Sequence, residues 1–145
     1  MKKTALIGVL IFLGGALVFA QDVGFFSERD MKDYCERIVN HIQRGEVESA
    51  FELMKSQWLF DPAEIDSAKE KTVSQLAGLP RRFGSPMAVA EVGVERVSDF
   101  LIRFTYVVKY ERHLLRWLFT FYRARGSWIL NAFWWDDNVS ELFIR

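Results

Sequence analysis

Glu91, Glu95 and Asp136 are the residues of this sequence best suited to acid–base work. Each stands in or beside an apolar stretch, and a general base needs such surroundings to bring its pKa toward neutrality and meet a substrate. Tyr34, Tyr106 and Tyr110, with Trp117, Phe119 and Trp134, offer the lining of a pocket for a small apolar ligand instead. The other chemistry-bearing residues read as structural. His41 falls on a helix beside Asn40 and His113 in a turn, with no spacing that brings them to one metal ion. Asp136-Asp137-Asn138 is oxygen-rich but lacks the alternating ligands of a calcium loop. Arg81 and Arg82 are a pair that holds an anion or is simply solvated. Cys35 is the single cysteine, so an intramolecular disulfide and a multi-thiolate metal site within one chain are both excluded. Neither a metal nor a cofactor is expected.

Residues 1–20 differ from the rest. Lys2 and Lys3 precede an uncharged run from Ala5 to Ala20, and Val18 and Ala20 occupy the −3 and −1 positions of a cleavage point before Gln21. The run reaches only ~24 Å as a helix, short of the ~30 Å hydrocarbon core of a bilayer. A signal peptide is therefore expected over 1–20, with cleavage near Ala20, no stable membrane insertion afterwards, and one domain over 21–145. The mature protein would be exported, to a periplasm or to the medium. Lys and Arg total 19 against 19 Asp and Glu in the full chain; without Lys2 and Lys3 the balance is 17 to 19, a net charge of −2. That excludes a strongly basic nucleic-acid binder and a highly acidic disordered chain. Half the residues are hydrophobic and 15% are aromatic, ample for a core.

The elements that must position these residues are legible from period and caps. Ser27 with Asp30 three residues on, and Phe26 against Met31, predict a helix start; Met31, Tyr34, Cys35, Ile38, Val39 and Ile42 make its apolar stripe, and Gly45 ends it. Val47, Ala50, Phe51, Met54 and Trp58 predict a second helix from about Glu46 to Leu59. Asp61-Pro62-Ala63-Glu64 opens a third, stopped by Gly78 and Pro80. The stretch from Leu79 to Pro86 reads as a loop. From Met87 onward the period changes to two, and turn candidates at Ser98-Asp99, Arg112-His113 and Arg125-Gly126 divide four antiparallel strands.

Two-residue turns fix a register. A turn at Arg112-His113 pairs Val108 with Trp117 and Tyr106 with Phe119; one at Arg125-Gly126 pairs Trp117 with Trp134 and Phe121 with Leu130. Both put the aromatic residues on one face, where the helices would pack. The opposite face carries Arg103, Arg116, Leu118, Asn131, Phe133 and Trp135, an apolar centre with a polar rim that predicts a homodimer. Its alternative is a face covered by the C-terminal Leu142, Phe143 and Ile144. In the first hairpin a two-residue Ser98-Asp99 turn would bury Glu91 and Glu95 on the aromatic face. A register slipped by one residue puts Ala90, Val92 and Val94 inside and both carboxylates on the face of Arg103. The cost of burying unpaired carboxylates favours the slip.

Helices followed by a curved antiparallel meander that closes on Gly126-Ser127-Trp128-Ile129-Leu130, with Phe121-Tyr122-Arg123 before it, resemble the NTF2-like (cystatin-like α+β) superfamily over roughly Ser27 to Trp135. The resemblance implies an α+β cone of three N-terminal helices on a four-stranded sheet, able to hold a small ligand and to dimerise through its outer face. Its members include isomerases, dehydratases, hydrolases and non-enzymatic binders, so the fold does not select among functions. The expected function is an exported, non-catalytic domain that binds a small apolar ligand or a protein partner of the cell envelope. One alternative is a cone-site isomerase, dehydratase or hydrolase using Glu91, Glu95 or Asp136; another is a structural accessory domain with a filled cone.

Overall fold

The computed structural model describes residues 23–144, and the expected leader lies outside the described residues. The chain forms α1 (Glu28–Gln43), α2 (Val47–Lys55), α3 (Pro62–Leu76), α4 (Leu79–Phe83), β1 (Pro86–Val97), β2 (Leu101–Tyr110), β3 (Leu114–Tyr122) and β4 (Ile129–Asp136), then a short 3-10 turn, Val139–Leu142. The fold is α+β, helices first, with one open antiparallel sheet in the order β1-β2-β3-β4. Among the described residues no helix is long and apolar enough to cross a membrane.

The helix starts follow the side chains that satisfy their free N–H groups. Ser27 Oγ accepts from the Asp30 N–H at 3.1 Å, and Asp61 Oδ1 accepts from the Ala63 N–H at 2.9 Å ahead of Pro62. The stripe expected of α1, from Met31 to Ile42, is buried throughout. Where a loop was expected after Gly78, α4 makes a single turn that buries Phe83. Pro80 does not prevent this, because it stands in the first turn, where its missing N–H has no partner to lose.

In the sheet the faces of β2 and β3 follow expectation while the registers differ. The turn between them is Glu111-Arg112, so Tyr106 faces Trp117 and Phe104 faces Phe119. This moves the pairing by two residues and keeps every side chain on its expected face. Of three register shifts, at Met87, Val92 and Asn131, the last two change the faces of candidate residues. Asn131 has no partner between Thr120–Ala132 and Phe121–Leu130, so beyond it Phe133 pairs with Phe119 and Trp135 with Trp117. Phe133 and Trp135 therefore point into the core and Trp134 points out, reversing their expected places. Inward Phe133 closes on Phe51 and Trp58, with ring centres 5.9 and 5.8 Å away, and such burial offsets the lost ladder bond.

The bulge at Val92 divides the first hairpin: toward the turn the faces are those of the slipped register although the pairing lies two residues from it, and beyond the bulge the pairing is that of the two-residue turn. Near the turn, whose three residues are Ser98, Asp99 and Phe100, Glu95 faces Arg103 and Val94 faces Phe104. Past Val92 the parity inverts and Glu91 faces Tyr106. Ala90 and Val92 are consequently not the core residues they were expected to be; Val89 and Val94 pack on the core instead. The core unites α1, α2, the start of α3 and the concave side of all four strands, with Trp117, Tyr106, Phe119, Phe121 and Phe51 at its centre.

Candidate functional site

The three candidate carboxylates are dispersed. Glu91, on β1, accepts a hydrogen bond from the Tyr106 phenol at 3.2 Å and pairs with Lys32 of α1 at 3.2 Å. Its contact with Lys32 raises the lysine's pKa, which keeps the ammonium charged. Glu95 lies on the opposite face, 3.7 Å from Arg103. Asp136, at the end of β4, receives two bonds from Arg116, at 2.8 and 2.7 Å, and these hold its carboxyl below the usual range. Each carboxylate thus answers a cation, and no two of them share a site. Among the described residues no group of three His, Cys, Asp or Glu side chains could hold a metal ion.

The aromatic residues expected to line a pocket mostly fill one. Tyr106, Trp117 and Phe119 are at most 1% exposed. Tyr34 is also buried, its hydroxyl donating to the Leu53 carbonyl at 3.2 Å, and burial pushes its pKa far above the ordinary phenol range. Trp117 stacks between Phe119 and Trp135, and among the described residues its indole N–H has no hydrogen-bond partner. Cys35 lies beside Tyr34 in the same core; burial pushes its thiol pKa well up, which keeps it protonated and inert. Trp134, the sixth of the expected lining residues, is on the outer face with the Arg103 guanidinium 5.0 Å from its ring.

Only Tyr110 of that set lines an open, mainly apolar concavity. The groove has a volume of about 360 Å³ and lies where the α1–α2 corner meets the end of α3, α4 and the start of β1. Ile42, Val47, Val73, Leu76, Leu79 and Pro80 make its walls, Gly45, Ala77 and Pro86 its rim, and Glu48 and Tyr110 its polar points. Its size is at the lower end of small-molecule sites. Sequence reading missed all of these but Tyr110. The available signal was the apolar stripe of α3, which runs on through Leu76 and past Gly78 to Leu79 and Pro80.

The outer sheet face carries a second depression, of about 670 Å³, between the strands and the C-terminal segment. Arg103, Thr105, Arg116, Leu118 and Trp134 form its floor, and Leu142 and Ile144 flank it. Leu118 and Arg116 are already buried in the single chain. Of the other residues expected on this face, Asn131 is the bulge and Phe133 and Trp135 are inside.

No family model, curated protein or solved structure matches the chain. The reading of function therefore rests on these geometries.

Proposed function

We propose that this chain is a non-catalytic binding domain, of the NTF2-like kind, whose ligand site is the apolar groove beside Tyr110 and not the interior of the cone. The groove itself carries this reading: an apolar concavity with two polar points, in a molecule whose interior is closed by its own aromatic side chains. Catalysis at Glu91, Glu95 or Asp136 is disfavoured, because each is paired with a cation and the outer depression that Glu95 lines is mainly polar. The filled interior by itself also suits a structural accessory domain, and the groove is what favours a binder. With residues 1–20 read as a leader, the ligand is one met outside the cytoplasm.

Cyclohexylmethanol, a neutral apolar probe, tests the groove. Methyl resonances of Val47, Val73, Leu76 and Leu79 should shift saturably with it, and Ala77→Trp, which fills the rim, should abolish the shifts. Shifts absent at millimolar probe, or unchanged in Ala77→Trp, would sink the reading.

The second reading concerns a partner. Trp134 and Ile144, which line the outer depression, are exposed at 40% and 70%, and Phe143, next to Ile144 in the chain, at 82%. Apolar side chains of that size gathered beside paired charges suit an isologous contact with a second copy, on a face smaller than the sequence implied.

A further inference from the structure

The groove has one charged lining residue. Glu48 stands in the first turn of α2, where the helix dipole favours a negative charge, and among the described residues its carboxylate has neither an ion pair nor a hydrogen bond. Its neighbours are matched: Glu46 is bonded by Arg44 and His41, Glu52 by Lys69 and Asp66 by Lys55. Tyr110, from β2, supplies the other polar point, and its hydroxyl also has no partner among the described residues. Burial raises the phenol's pKa, so it remains a neutral hydroxyl able to accept or donate one bond. Arg81 and Arg82 project from the same short helix as Pro80 but do not line the groove.

Apolar walls with an unmatched carboxylate and a neutral phenol complement one ligand class. We infer that the groove selects a small apolar primary amine, its hydrocarbon body against Val73, Leu76 and Leu79 and its ammonium toward Glu48, with Tyr110 as a second acceptor. This rests on the groove reading proposed above. Charge matching sets the selectivity: an ammonium meets Glu48, a hydroxyl gains nothing from it, and a carboxylate is repelled.

Three probes of one shape separate the two claims: cyclohexylmethylamine, cyclohexylmethanol and cyclohexanecarboxylate, titrated at pH 7 against the same methyl resonances. The amine should bind about threefold more tightly than the alcohol, the scale of an exposed ion pair, and the carboxylate should be weakest. Glu48→Gln should bring the amine down to the alcohol, and so should about 1 M salt, where charges are screened within ~3 Å. Equal affinity for amine and alcohol, or tightest binding of the carboxylate, overturns the amine inference and leaves the groove reading intact. Binding of none of the three removes both.

Discussion

Trp135 stacks on Trp117 across the β3–β4 ladder, with ring centres 5.8 Å apart and planes 22° from parallel. The indole N–H of Trp135 also donates to Thr72 Oγ1 at 3.0 Å, joining the last strand to α3. Both contacts exist because the Asn131 bulge inverts the parity of the residues beyond it.

Trp135 and Trp134 should respond oppositely to truncation. Trp117→Ala and Trp135→Ala remove core indoles and should each cost about 3 to 5 kcal/mol, Trp135 at the lower end because it is half-buried. Trp134→Ala gives up chiefly the contact with Arg103 and should cost about 1 kcal/mol or less. Denaturant melts decide this, and a larger loss at Trp134 than at Trp135 would contradict the bulge.

Asp136 ties acid stability to Arg116. The guanidinium lowers the folded pKa of Asp136 below its ordinary 3.8, so the contribution is complete above that value and is lost as pH falls through the lower, folded one. Asp136→Asn should cost about 1.5 to 3 kcal/mol near neutral pH, since a charged pair on a buried arginine is lost. It should also flatten the decline as pH falls below the ordinary 3.8 of an aspartate. An acid profile identical to that of the unaltered chain would exclude this role.

The outer face should determine association. At micromolar concentration the protein lacking residues 1–20 is expected to sediment as a dimer, and Trp134→Glu should return it to a monomer without loss of fold. A monomer in both cases would leave Trp134, Phe143 and Ile144 without a second copy.

Much of this architecture is local in origin and hence legible. Ser27 and Asp61 set helix starts through bonds to residues two or three positions away, and the stripe from Met31 to Ile42 needs only the period of a helix. The aromatic face of β2 and β3 survived an error of two residues in the turn, because strand side chains repeat every two. Tyr110 was expected in the lining of the cone interior and stands instead at the groove. The walls around it were not legible, since Val47, Leu76 and Pro80 meet only after three helices have packed.

The sequence by itself determined an α+β chain, its helix caps, its strand order and the identity of most of its core. Tertiary structure alone decided the parity of Glu91, Phe133, Trp134 and Trp135. A bulge inserts one unpaired residue; Gly93 beside Val92 is a local signal compatible with one, but it does not demand it, and Asn131 carries none. What selects it is packing at long range: Phe133 against Phe51 and Trp58, Trp135 against Trp117 and Thr72, and Glu91 between Lys32 and Tyr106. Lys32, Phe51 and Thr72 among these partners come from α1, α2 and α3, so the choice of face is settled only when the helices are in place.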